Sequence, residues 1–285
     1  MGTMLWCDTT IRFKQNSCKM ESLLKQVIIR IDYSPISNFM AFIMQLRNNP
    51  IMMEYYARGR EIKTNNVNII LNQNKDELQD AKLTVNETTS VFRFYGETEK
   101  FDQKSEFDIT DSFMCLTIAC DDNYKHCTPY LEFIADRMSE VKQFDPYARI
   151  KRIGLRKIDS DDFTDVEAAN KIFVNVNAVY REKKKDDDQT RVRMKQNFSE
   201  QFFYDKQQAQ MVSTQGFNGT VGNKLFRFVL DTDAFIEDGH IDHKTDDVLG
   251  YLKEKLSSLN EMLRDNYEIN ISQDELKAYR NERQQ

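Results

Sequence analysis

Proline and glycine are scarce in this 285-residue chain, with four and nine residues. That excludes collagen-like repeats, Gly/Pro linkers and all-turn architectures. Cysteine is sparse and unpaired in number: Cys7, Cys18, Cys115, Cys120 and Cys127. Cys115, Cys120 and Cys127 lack the paired spacing of a zinc site. An odd count in a long chain reads as reduced, mostly buried thiols, so a cytoplasmic location is expected. No stretch approaches the ~18 apolar residues that span a bilayer, and no membrane association is expected. The opening MGTMLWCDTTIRFKQ lacks the apolar core of a signal peptide. It also misses the myristoylation pattern, because Trp6 stands where Ser or Thr is needed. Positive charge is not in excess: the net charge is −6 and the pI about 5.3. A nucleic-acid partner is therefore not expected, although a local basic face stays open.

Catalytic signatures are missing as well. Gly216–Gly222 reads GFNGTVG and has no Lys-Ser/Thr pair of a phosphate-binding loop, so a plain turn is the better reading. There is no G-x-S-x-G elbow. His126 and Cys127 are adjacent, which sends their side chains apart. No cofactor is implied.

What is present is an ordinary globular composition, 40% apolar and 30% charged, with 19 Phe and 12 Tyr. The length suits one large domain or two small lobes. Val27–Tyr33 alternates, with Val27, Ile29, Ile31 and Tyr33 on one face, and predicts a half-buried strand. Ser34-Pro35 then suggests a helix start. Ile36, Phe39, Met40, Ile43 and Leu46 trace its face until Asn48-Asn49-Pro50. Val67–Leu71, Lys82–Val85 and Val91–Tyr95 are further strand candidates. Phe113–Cys120 is apolar on both faces, which predicts a central strand. Thr128-Pro129 opens a helix with a stripe of Leu131, Ile134, Met138 and Val141. Ile150–Ile158 and Ile172–Tyr180 return as strands. The block REKKKDDDQTRVRMKQ, 181–196, predicts an exposed hairpin tip or mobile loop. Gly216, Gly219 and Gly222 suggest turns before a strand at Leu225–Leu230. Finally Val248, Leu252, Leu256, Leu259 and Leu263 mark a long amphipathic helix, with Thr245 as its cap and Asp246 and Asp247 at its positive end. The expected fold is α+β: a mixed or antiparallel sheet, three strand-then-helix units, helices on one face. The expected division is an N-terminal α+β lobe at 1–145 and a C-terminal α+β lobe at 146–285, or one continuous domain.

Two segments carry candidate chemistry. In IKRIGLRKI, Arg152, Gly154 and Arg156 share one strand face. A glycine between two guanidiniums can open the backbone for a phosphate, a carboxylate or a partner surface. The plain alternative is two surface arginines paired with nearby acids, the glycine packed under a bulky side chain. The second segment is acidic. Asp231 and Asp233 share a strand face, and Asp238, His240, Asp242 and His243 follow. Carboxylates suit Mg²⁺, Mn²⁺ or Ca²⁺, and imidazole adds affinity for Zn²⁺ or Mn²⁺. A metal site would draw on Asp231, Asp233, His240 and His243. It is not an EF-hand, because Phe235 and Ile236 fall at the fifth and the glycine positions. The plain alternative is a solvated loop whose acids cap the long helix.

These residues also carry a resemblance. The chain resembles a sporadically distributed, uncharacterised bacterial family of similar length. VIIRIDYSP matches its opening strand. Arg152-Ile153-Gly154-Leu155-Arg156 matches the start of its R-I-G-L-R-Y-I-N strand, with Lys157 and Asp159 departing from it. Leu230-Asp231-Thr232-Asp233 matches its L-D-I-D. Leu259, Asn260, Tyr267 and Ile271-Ser272 match its L-H-x6-F segment and the pair that follows, with Asn260 in place of the histidine. Scattered distribution accompanies mobile or defence genes. The missing signatures and the two-faced apolar strands rich in aromatics suggest a non-enzymatic binding or regulatory protein acting with a partner, through a protein contact or self-association. The alternative is a metal-dependent enzyme acting on phosphodiesters through the 231–243 loop.

Overall fold

The structure is a computed structural model. It describes residues 23–70, 82–96, 100–121, 124, 126–163, 166–175, 178–180, 192–194, 198–219, 226–243 and 245–283. Strand β1 spans Leu24–Tyr33, and Val27, Ile29, Ile31 and Tyr33 are all buried, as the alternation predicts. Helix α1 covers Phe39–Arg47 and α2 covers Pro50–Tyr55. The first helix starts later than Ser34-Pro35 suggests. Ser34 instead ties the end of β1 to Arg149, further along the same chain: its amide donates to Arg149 O and its hydroxyl accepts from Arg149 N. The inward face of α1 is Phe42, Ile43 and Leu46, while Met40 points out. Asn49 ends the connection and caps α2, its side chain accepting from Ile51 N at 2.9 Å.

A long hairpin follows, β2 at Arg58–Ile70 and β3 at Lys82–Tyr95, so the short strand candidates of this region are parts of two longer strands, except Leu71, which lies outside the described residues. Then come β4 (Lys104–Ile109), β5 (Phe113–Ala119) and α3 (Thr128–Phe144). Cys127, not Thr128, stands at the cap of α3, and Leu131, Ile134, Met138 and Val141 are buried beneath it. Strand β6 runs Ile150–Phe163 and α4 runs Val166–Ile172. Ile172 thus closes a helix rather than opening a strand. Two short strands pair antiparallel, β7 (Ala178–Tyr180) just before the charged block and β8 (Val192–Met194) within it. Residues 181–191 and 195–196 of that block lie outside the described residues. The chain continues through β9 (Phe198–Tyr204), β10 (Ala209–Gly219) and β11 (Phe226–Glu237). Gly216 sits inside β10 and is not a turn, Gly219 is the last residue of β10, and Gly222 lies outside the described residues. The last helices are α5 (Val248–Asn270) and α6 (Gln273–Arg283). Asp247 rather than Thr245 caps α5, its Oδ1 accepting from Gly250 N at 2.8 Å.

Nine strands form one antiparallel sheet in the order β2-β3-β4-β5-β1-β6-β11-β10-β9. The fold is α+β; the three expected strand-then-helix units stand at β1–α1, β5–α3 and β11–α5, and β6–α4 adds a fourth. β1 and β6 pair in the middle, which joins the halves on either side of residue 145 into one sheet. Helices α3 and α5 lie against each other and against β1, β5, β6 and β11 on the same face. The main core therefore draws on both halves, from Val27, Leu116 and Ile134 to Leu155, Leu252 and Leu256. A second cluster, with Phe163, Phe173, Phe228 and Tyr267, lies under α4 and α6. Burying one such side chain contributes about 1.5–3 kcal/mol. β5 is interior but not buried on both faces: Met114, Leu116 and Ile118 face the helices, and Phe113, Cys115 and Thr117 are half-buried on the other side. No helix among the described residues is long and apolar enough to cross a membrane.

Candidate functional site

The face of the sheet away from the helices holds the candidates read from sequence. Arg152, Gly154 and Arg156 lie on this side of β6, between β1 and β11. β11 brings Asp231 and Asp233 to the same side. Register sets Arg156 opposite Asp233, and Gly154 opposite Phe235. The ion pairs run diagonally. Arg156 Nε and Nη2 donate to the two oxygens of Asp231 at 2.7 and 2.5 Å. Arg152 Nη2 donates to Asp233 Oδ2 at 2.8 Å. The hydrogen bonds it donates to Asp231 hold Arg156 above its ordinary pKa, against the opposing effect of lost water.

Gly154 has a specific role in this arrangement. A Cβ there would stand 2.7 Å from Arg152 Nη1 and 3.1 Å from its Cζ. The Arg152 guanidinium lies in the space the missing side chain leaves, 4.6 Å from the centre of the Phe235 ring. Glycine, arginine and phenylalanine thus form a layered contact that aims Arg152 at Asp233. The anion grip and the aspartate half of the metal site are therefore parts of one ladder. The charges that an external anion or cation would use are neutralised within the sheet.

The ladder extends across the face. Arg30 Nε pairs with Asp32 Oδ1 at 2.7 Å and lies 4.2 Å over the Phe113 ring. Arg93 grips Asp108 with two bonds of 2.7 Å and reaches Glu106 at 2.8 Å. Arg227 holds Asp162 at 2.8 and 2.9 Å. Each such partly exposed pair is worth only about 0.2–1 kcal/mol, so their main effect is to fix side-chain positions.

The histidines do not join this group. β11 runs past Asp231 and Asp233 to Glu237, and a single 3-10 turn at Asp238–His240 follows. His243 Nε2 lies 2.7 Å from Asp238 Oδ1. The His240 ring lies 5.9 Å from that of Phe203. Among the described residues, no group of three or more His, Cys, Asp or Glu side chains is placed to hold one ion.

A second site was not read from the sequence. On the helix side of β6 the alternation Ile153, Leu155, Lys157, Asp159 carries two charges inward. Burial pushes the Asp159 carboxyl up to about 7, with Lys157 and Lys25 pulling the other way. Burial also lowers Lys157, which Cys127 and Asp159 partly offset. Continuing the strand alternation past Leu155 would have flagged both. Cys120 and Cys127 stand nearby, at the end of β5 and the start of α3. Burial raises Cys127, and it pushes Cys120 up to about 12. A thiol so protonated is a poor nucleophile.

Cys120 also lines a cleft of about 400 Å³, where β5 leaves the sheet and β4 enters. Its walls include Tyr55, Phe101, Asp102, Gln103 and Asp121. The sequence offers only the short segments FDQ and CDD as signals, each ordinary in isolation.

No protein-family model and no curated protein matches the chain. A solved structure that it was compared with is the di-domain ARO/CYC StfQ from the steffimycin biosynthetic pathway. The two are 10% identical, over 86% of this chain and 97% of that one, with a TM-score of 0.13. A likeness that low carries no argument about fold or function.

Proposed function

We propose that the protein is a non-enzymatic binding or regulatory protein of the cytoplasm, acting with a protein partner or a second copy of itself. A mobile or defence-type gene setting, with the partner encoded nearby, fits the family resemblance. The open face of the sheet is the proposed contact surface. One observation supports this most: on that face, charged side chains are already paired while Phe113, Thr117, Ile28, Val229 and Phe235 stand half-exposed between them. A rigid, internally neutralised surface with apolar and aromatic patches loses little conformational freedom on docking.

The test is capture from the native host, followed by mass spectrometry of proteins, nucleic acids and small molecules. Sedimentation of the purified chain runs beside it to read self-association. Wild type is compared with Thr117→Arg on the open face and Glu261→Arg on the exposed side of α5. A stoichiometric partner, or a dimer, that Thr117→Arg loses and Glu261→Arg keeps supports the reading. Equal behaviour of the two variants refutes it.

A further inference from the structure

The cleft beside Cys120 has a polar side and an aromatic side. On the aromatic side, the Tyr55 and Phe101 rings meet at 4.7 Å between centres and 48° between planes, which makes a corner. Behind it Tyr130 stacks on Phe101 at 4.5 Å, and Phe133 closes on Tyr55 at 4.8 Å. The corner is thus backed by packed rings and holds its shape. On the polar side, Tyr130 donates its hydroxyl proton to Asp102 Oδ1 at 2.5 Å. Gln103, 7% exposed, binds Asp121 twice. Its Nε2 donates to Asp121 Oδ1 at 2.9 Å, and the Asp121 amide donates to its Oε1 at 2.8 Å. Both carboxylates are therefore oriented by buried or half-buried neighbours rather than left on free side chains.

Opposite charge beside ring faces is the chemistry that recognises organic cations. The protein already sets a cation on this wall: Lys100 Nζ lies 5.4 Å from the Tyr55 ring centre, held by Glu54 at 3.0 Å. The residues lining the cleft include two aspartates, Asp102 and Asp121, and one lysine, Lys104. A bare metal ion would find no use for the rings, and no three-ligand group exists here among the described residues. A volume near 400 Å³ lies within the range of about 300–1,000 Å³ usual for small-molecule sites. The thiol of Cys120, kept protonated by burial, favours binding over covalent capture.

We infer that this cleft binds a small organic ammonium ion with an apolar body, its charge toward Asp102 and Asp121 and its body against Tyr55 and Phe101. The inference stands apart from the sheet-face reading and does not need it.

The test uses 2-phenylethylammonium, 2-phenylethanol and 3-phenylpropionate as probes, added to full-length protein with methyl-labelled alanine. Ala119 lines the cleft and reports locally. The ammonium should shift the Ala119 methyl signal saturably and bind at least about tenfold more tightly than the alcohol. The propionate should leave the signal in place. Asp102→Asn keeps an acceptor for the Tyr130 hydroxyl, so the fold is retained. It should weaken the ammonium about tenfold and leave the alcohol unchanged. Tyr55→Leu removes one ring and should weaken the ammonium independently. Equal affinity for the three probes, no saturable shift at Ala119, or unchanged ammonium binding in both variants would overturn the inference.

Discussion

Replacing Gly154 by alanine tests why a glycine stands in the middle of a nine-stranded sheet. Its backbone is ordinary extended chain, and Gly96 has the only positive φ among the described glycines, so alanine fits the main chain. The added methyl would meet Arg152 first, at 2.7, 3.1 and 3.3 Å from three atoms of the guanidinium. That group ends a flexible side chain and can lift away. Lifting it breaks the pair with Asp233, whose side chains are 25% and 33% exposed. The loss is about 0.2–1 kcal/mol for the ion pair and about 0.5–1 kcal/mol for the contact with Phe235. Against this, alanine restricts the unfolded chain and gains about 0.4–1 kcal/mol. The net change should lie between near neutral and a loss of about 1.5 kcal/mol. In an Arg152→Ala background nothing remains to be displaced, so the same Gly154→Ala change should stabilise by about 0.4–1 kcal/mol. Urea denaturation of the four proteins, at constant slope, measures both values. The same effect in both backgrounds would refute the layered contact. So would a loss above about 3 kcal/mol in the wild type, which would mean the backbone itself requires glycine.

Three further perturbations probe the core, a cap and the buried acid. Leu256 is fully buried on the inner face of α5, and Leu256→Ala should cost about 2–5 kcal/mol in a thermal or urea melt; an unchanged midpoint would place the wrong face of α5 against the sheet. Asp247→Ala removes the acceptor for Gly250 N and should cost about 0.5–2 kcal/mol, whereas Thr245→Ala should be near neutral; the reverse ranking in melts would restore Thr245 as the cap. Asp159 is pushed up to about 7 by burial, while an unfolded aspartate titrates near 3.9. Between those pH values the folded protein keeps a proton that the unfolded chain has lost. Its contribution to stability is therefore present at low pH and declines as pH rises from about 4 to about 7. Asp159→Asn should shrink the stability difference between about pH 5 and about pH 8, and an unchanged difference would show that Asp159 does not titrate there.

Alternation made the sheet legible wherever one face is apolar and the other polar. Val27–Tyr33 shows this, and so does the α5 stripe from Leu252 to Leu263, because burial on one side imposes a period on the residues. Boundaries were less legible. Ser34-Pro35 and Thr245 carry the residue types of helix caps, but local type competes with tertiary demands: Ser34 bonds Arg149 across the sheet, and Asp247 holds the α5 amide instead. Gly216 reads as a turn because glycine permits one, yet pairing with Val229 of β11 keeps it within β10.

The sequence by itself determined the α+β class, the three strand-then-helix units and the pairing of Arg152 and Arg156 on one strand face. Those follow from periods of about 2 and about 3.6 residues, which need only the chain next to each residue. Only the tertiary structure decided what the face does. Register between β6 and β11 turned two separate candidates, about 80 residues apart in sequence, into one Arg–Asp ladder with Gly154 under Arg152. It also brought Tyr55, Phe101, Asp102 and Cys120 around one cleft. Side-chain partners across a sheet depend on how strands are ordered and aligned, and no local pattern in the chain encodes that order.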